Sequence, residues 1–190
     1  MKRIGILGDI GSGKSFIANC FGYPVFNADR EVEKIYKNNR IIFKKLKKRL
    51  PLYFSSFPIK KIEVIKAILA NKNNLEKIIS IIHLEVRKKL QIFLKKNRFK
   101  KIVILDIPLL LENKINKKGD ILVFIVSNKS EVLKRLKKRK NFNKKLYLKF
   151  KKIQLPLEFK KKKSDFIIKN NFKKKNIRKH VSMILQKVIQ

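Results

Sequence analysis

The run Gly8-Asp9-Ile10-Gly11-Ser12-Gly13-Lys14-Ser15 has the residue types and spacing of a phosphate-binding loop, G-x-x-x-x-G-K-[ST]. Each position answers a physical need. Glycines let the backbone turn so that its N–H groups face inward at phosphate oxygens. The Lys14 ammonium is a point charge for the β- and γ-phosphates, and the Ser15 hydroxyl is a hard oxygen ligand for Mg²⁺. A helix that begins at Gly13–Lys14 adds the positive end of its dipole. The motif calls for a nucleoside triphosphate without saying what the phosphate is used for.

Several acids and bases accompany it. Asp29 follows a short apolar run, where it could accept or orient the proton of an attacking hydroxyl; equally, it could cap the helix starting at Arg30. Asp106 ends a strongly apolar run, a place from which an acid holds Mg²⁺ through water, and a buried acid with no role would be costly. Glu112 lies six residues on, and a surface position on a helix is its other reading. His83 precedes Arg87 by four residues, so a helix would present both on one face. Arg135 and Arg139 share that spacing on a helix expected over 129–138. Guanidinium forks bind phosphate in a bidentate way that ammonium cannot copy, although a solvated basic face explains the same pair.

The elements that must position these groups are legible in the pattern. Arg3–Leu7 reads as a buried first strand, Gly8–Gly13 as a tight loop and Lys14–Phe21 as a helix ended by Gly22-Tyr23-Pro24. Pro24–Asn27 is a short second strand. Residues 30–97 are helical in pattern, interrupted at Pro51 and Pro58. There Leu75, Ile78, Ile79, Ile82, Val86, Leu90 and Phe93 mark one apolar helix face. Lys101–Asp106 and Ile121–Val126 are continuously apolar, as parallel strands buried on both faces are. Asn141-Phe142-Asn143 suggests a turn, Asp165–Ile168 a last strand and Ile177–Val188 a last helix. Alternation of strands and helices at both ends predicts an α/β chain with a parallel sheet covered by helices on both faces.

The chain has 190 residues, enough for one domain with a real core, and it is 44% hydrophobic with 14 Phe, which excludes a disordered tail. Its 51 Lys and Arg against 13 Asp and Glu give a net charge of +38. Such a field attracts phosphate backbones. The basic residues, however, are spread from Lys34 to Lys187 and travel with Asn, Ile and Phe, the residues of A/T-rich codons. A bias of coding, with no specific nucleic-acid partner, is the simpler reading. A single cysteine, Cys20, excludes an internal disulfide. No apolar run reaches the ~20 residues that span a bilayer. The expectation is a soluble cytoplasmic monomer without a signal peptide.

Taken in order, these blocks resemble the dephospho-coenzyme A kinase family, and the resemblance covers nearly the whole chain. Asp106-Ile107-Pro108-Leu109-Leu110-Leu111-Glu112 matches its D-x-P-L-L-x-E; Val25-Phe26-Asn27-Ala28-Asp29 is similar to its V-I-D-A-D. His83-Leu84-Glu85-Val86-Arg87 resembles H-P-x-x-R, and Arg135-Leu136-Lys137-Lys138-Arg139 resembles R-L-x-x-R. Gln154–Lys160 resembles Q-x-P-x-x-x-K, and Asp165–Asn170 resembles the closing A-D-x-x-I-x-N. The phosphate loop is shared with many kinases; the D-x-P-L-L-x-E block and the ordered set are far more specific.

The resemblance implies a P-loop NTPase fold in a single domain. Its core would be residues 1–29, 98–138 and 161–190, with a helical substrate region at 30–97 and a lid at about 139–160. It implies ATP-dependent phosphorylation of the ribose 3′-hydroxyl of dephospho-CoA, giving CoA and ADP, with Mg²⁺. By that match Gly11, Ser12, Gly13, Lys14, Ser15 and Phe16 cradle ATP, and Asn170 lies near the adenine. Ser15 and Asp106 hold the metal. Asp29 meets the acceptor hydroxyl, and His83, Arg87, Asp106 and Glu112 bind the acceptor. Arg139 closes over the phosphates. The chain departs from the family at Asn27, in place of the first acid; at Asp9, in place of Gly, whose side chain is expected to point away from phosphate; at Phe16, in place of Thr; at Leu84, in place of Pro; and at Phe150, in place of a lid Arg. Two other readings compete. Another small-molecule P-loop kinase has no reason to carry D-x-P-L-L-x-E, and a basic nucleic-acid binder leaves the complete phosphate loop unexplained.

Overall fold

The computed structural model describes residues 1–139 and 142–190. Five strands, β1 (Lys2–Gly8), β2 (Val25–Asn27), β3 (Ile102–Asp106), β4 (Ile121–Ser127) and β5 (Phe166–Asn170), form one sheet in the order β2-β3-β1-β4-β5. All neighbours are parallel. The chain divides into two compact units, Met1–Asn27 with Asn97–Gln190, and Ala28–Lys96.

The first unit holds the sheet. Every residue of β3 is buried, as its unbroken apolar run requires. Ile4, Ile6, Ile102, Ile104, Val123, Ile125 and Ile168 share one face, packed with Ile17 and Ala18 of α1 (Lys14–Cys20) and Ile177, Val181, Ile184 and Val188 of α9 (Lys174–Ile189). Each fully buried isoleucine contributes roughly 1.5–3 kcal/mol of transfer free energy. On the other face Gly5 leaves room for Leu110, whose Cδ2 lies 2.5 Å from where a Cβ would stand. Parallel register sets Asn27 beside Asp106 at the carboxyl ends of β2 and β3. That is the edge at which the chain leaves β1 for the phosphate loop. Helix α6 (Lys129–Lys137) follows β4, with Asn128 capping it through bonds from the Ser130 and Glu131 N–H groups.

Between α6 and β5 lie two short helices, α7 (Lys144–Lys152) and α8 (Leu157–Lys162), which the apolar pattern did not reveal. No residue of α7 is buried, so there was no apolar stripe to read. Asn143 caps α7 by accepting from the Leu146 N–H at 2.9 Å; of the turn expected at 141–143, Asn141 lies outside the described residues.

The second unit is helical: α2 (Ala28–Asn38), α3 (Arg40–Arg49), α4 (Lys61–Ala70) and the 25-residue α5 (Lys72–Lys96). Leu75, Ile78, Ile82, Val86 and Leu90 of α5 are buried, with Ile79 and Phe93 half-buried at the margin. Buried Glu63 organises the connection before α4. Its carboxylate accepts the Ser55 N–H and hydroxyl at 3.2 and 2.9 Å and the Lys60 N–H at 2.9 Å. Burial opposes its charge, yet these bonds, with one from the Ser56 N–H, prevail and hold the carboxyl below the usual range. No helix among the described residues is long and apolar enough to cross a membrane.

Candidate active site

The phosphate loop is built by β1, which delivers it, and α1, which leaves it at Lys14. Gly11 and Gly13 have φ of 81° and 89°, in the left-handed region that favours glycine. Both are also hemmed in. A Cβ on Gly11 would come within 2.9 Å of Leu136 and 3.0 Å of Val132 on α6; one on Gly13 would come within 2.5 Å of Asn170 Nδ2. The loop is thus held by α6 and by the end of β5.

Hydrogen bonds complete the bracing. Ser127 Oγ and Asn170 Nδ2 both donate to the Ser12 carbonyl, at 3.1 and 2.8 Å. Asn170 Oδ1 accepts the Phe172 N–H at 2.8 Å. Asn170 is buried, and its amide ties the loop to the residues that follow β5. Ser127 was not singled out in the sequence. Its place at the carboxyl end of β4, on the same sheet edge as the loop, was the signal that could have found it. Lys14 is buried and donates to the carbonyls of Asp9 and Gly8 at 2.7 and 3.2 Å. Ser15 and Phe16 are exposed in the first turn of α1, which leaves the Ser15 hydroxyl open for a ligand.

Behind the loop, the Asn27 amide donates to an Asp106 carboxylate oxygen and reaches Ser15 Oγ at 3.4 Å. Asn27 therefore links a hydroxyl to a carboxylate that is only 3% exposed. This hard oxygen pair suits Mg²⁺, which takes few protein ligands and completes its shell with phosphate and water. Among the described residues no three His, Cys, Asp or Glu side chains cluster as a cage for a metal.

Asp9 does not stand alone. Its Oδ1 accepts the Ile10 N–H at 2.7 Å, and its Oδ2 pairs with Lys151 Nζ at 2.6 Å. Glu112 pairs with Lys160 Nζ at 2.6 Å and accepts the Leu155 N–H at 3.0 Å. It thereby ties the loop after β3 to the segment leading into α8, and it stands in a turn with its side chain only 10% exposed, not on a helix surface. The two arginines do not share a helix face, contrary to their spacing. Helix α6 ends at Lys137 with Lys138 as its cap, and the Arg139 N–H turns back to the Leu136 carbonyl at 3.1 Å. Arg139 is exposed beyond the helix. Arg135 instead places its guanidinium 3.9 Å from the centre of the Phe172 ring, and that ring lies beside Gly13.

The family model for dephospho-CoA kinase matches residues 2–176. The chain belongs to the dephospho-CoA kinase family. It is 34% identical over 187 residues to the dephospho-CoA kinase of Wolbachia sp. subsp. Brugia malayi, covering 96% of this chain and 95% of that protein. Two solved structures share its fold. One is of the Thermus thermophilus protein TT1252, with TM-score 0.80 and 23% identity over 100% of this chain and 98% of that one. The other is of the Campylobacter jejuni dephospho-CoA kinase, with TM-score 0.66 and 24% identity over 99% and 98%. Membership makes the chain an ATP-dependent phosphotransferase acting on dephospho-CoA, in the synthesis of coenzyme A.

The remaining family positions lie in the helical unit. Asp29 is in the first turn of α2. The helix starts at Ala28, not at Arg30, so Asp29 is within it, where a negative charge favours the dipole. His83 is half-buried next to the Ile82 and Val86 stripe, and Arg87 is exposed four residues on. Burial, and then the Arg87 charge, push the His83 pKa down, so its imidazole is neutral at pH 7. Leu84, where the family has Pro, is 64% exposed, and α5 runs through it unbroken. A proline there would have removed a helical hydrogen bond.

Proposed function

We propose that the kinase reaction runs with ATP cradled by Gly11–Phe16 and with Asp29 as the group that receives the acceptor proton. The 3′-oxygen of dephospho-CoA forms a bond to the γ-phosphorus as the bond from that phosphorus to the β-bridging oxygen breaks. ADP leaves, and the hydroxyl proton passes to the Asp29 carboxylate. Lys14 holds the β- and γ-oxygens in place of the backbone carbonyls it now bonds. Backbone N–H groups of the loop face the same oxygens, so positioning and charge stabilisation supply most of the rate. Arg139, exposed after α6, is free of the helix and can swing onto the transferring group. His83 and Arg87 take the acceptor, the neutral imidazole by hydrogen bonds and the guanidinium by its phosphates.

Ser15 and Asp106 are the residues that would hold Mg²⁺. When bound, the ion neutralises charge on the β- and γ-phosphates. Asn170 and Glu112 enter this reading as shapers, of the loop and of the lid segment 139–160, rather than as direct ligands. The enzyme is read as a cytoplasmic monomer with no particular nucleic acid as partner. Its positive field draws in polyanionic substrates.

The observation that carries the reading is the convergence of Lys14, Ser15, Asn27 and Asp106 on one sheet edge. With Asn27 uncharged, Asp29 is the remaining carboxylate of its motif. Asp29→Asn keeps size and removes basicity. General-base catalysis is worth ~10²–10⁴-fold, and a loose phosphoryl-transfer transition state leans to the lower end. Turnover should fall by about a hundredfold or more, with ATP affinity nearly unchanged. A purely helical role for Asp29 predicts at most about 1 kcal/mol of lost stability and normal turnover, which would leave the acceptor site without its base.

A further inference from the structure

Asp9 puts a carboxylate into the first turn of a loop that must receive a triphosphate. Its own backbone carbonyl is the acceptor for Lys14 Nζ at 2.7 Å, so the residue that carries this charge is also one that holds the ammonium phosphate requires. One carboxylate oxygen stays on the Ile10 N–H at 2.7 Å. The other meets Lys151 Nζ at 2.6 Å, in a pair whose side chains are 18% and 36% exposed. Lys151 comes from α7, a helix with no buried residue. Just beyond α7 the chain is pinned where Glu112 accepts the Leu155 N–H and pairs with buried Lys160. An unanchored lysine-rich helix would have no reason to lodge one ammonium on this carboxylate; the pinned one holds it there.

We propose that Lys151 is a positioning residue for ATP: it neutralises Asp9, so that the phosphate loop accepts a triphosphate in spite of its carboxylate. Lys151 itself need not touch the nucleotide. Without it, Asp9 repels the incoming phosphates and competes for Lys14. The consequence depends on the charge of the ligand and on salt, as a packing contact would not.

The test is a double-mutant cycle read by calorimetric titration with ATP and with ADP, with melting temperature recorded for each variant. Lys151→Met should weaken ATP binding by up to about fivefold, and ADP binding by less, because ADP carries less charge. The defect should shrink as salt is raised. Lys151→Arg should bind as the parent does. Asp9→Asn, which keeps the acceptor for the Ile10 N–H, should tighten ATP binding. The double variant should return to within about twofold of the parent. The proposal is overturned if Lys151→Met binds ATP normally. It is equally overturned if the double variant stays as weak as Lys151→Met, which would make Lys151 a direct nucleotide contact, or if Asp9→Asn alone weakens binding as much, which would make the pair a mechanical tie. The proposal rests on the loop holding ATP. Failure of the parent protein to bind ATP at all would strike that reading instead, and is seen in the same titration.

Discussion

Removing the Lys160 ammonium isolates a buried carboxylate. Lys160 is 1% exposed and Glu112 10%, with Nζ and Oε1 2.6 Å apart. The Leu155 N–H shares that same oxygen at 3.0 Å, and Oε2 is buried with no hydrogen-bond partner among the described residues. Lys160→Met therefore leaves Glu112 charged, scarcely hydrated and held by one backbone donor. Breaking a pair of this kind costs about 3–5 kcal/mol. In a chain of this size each kcal/mol moves the melting temperature by about 2–4 °C, so the variant should melt roughly 6–20 °C lower. Glu112→Gln combined with Lys160→Met removes both charges and keeps an acceptor for the Leu155 N–H. It should regain most of the loss. Melting by circular dichroism, with ATP turnover measured below all transitions, separates stability from chemistry. A single variant melting within about 2 °C of the parent, or a double variant no more stable than the single one, would refute the reasoning.

Two more outcomes follow from the geometry. Gly13→Ala forces a φ of 89° on a residue with a Cβ and drives that carbon to 2.5 Å from Asn170 Nδ2. It should cost at least about 1–2 kcal/mol and weaken ATP binding, and unchanged melting and affinity would contradict the bracing of the loop. His83 has a folded pKa below its ordinary 6.5, so its neutral form favours the fold. Its contribution is complete above pH 6.5 and is lost as pH falls from 6.5 through the lowered value. Melting temperature should therefore drop between pH 7.5 and 5.5, and drop less in His83→Gln; parallel slopes would show that His83 does not titrate this way.

The sheet and its site were legible where chemistry or burial leaves a pattern. The apolar run ending in Asp106 announced a buried strand, and it became β3 with all five residues buried. The phosphate loop was readable because its glycines and Lys14 have few substitutes. What stayed hidden was set by partners distant in the chain. Glu112 and Lys160 each sat in a readable block, but nothing in either block named the other. Asn170 was expected near the adenine; that its amide also braces the Ser12 carbonyl was not readable, because the β4–β5 pairing sets that bond. Lys151 was one of 51 basic residues, and only the fold singles it out. Arg139 was set on the helix expected over 129–138 by its spacing from Arg135, and α6 ends at Lys137. Spacing carries no information about where a run of lysines stops being helical.

The most direct test of the account is to offer the purified protein ATP with dephospho-CoA, AMP, CMP and shikimate as separate acceptors and to identify the phosphorylated product. The expected product is coenzyme A, with the new phosphate on the ribose 3′-oxygen. Its kcat/KM should be at least about a hundredfold above that for any other acceptor, since the site must reject those that lack its contacts. Equal or faster phosphorylation of AMP, CMP or shikimate would contradict it.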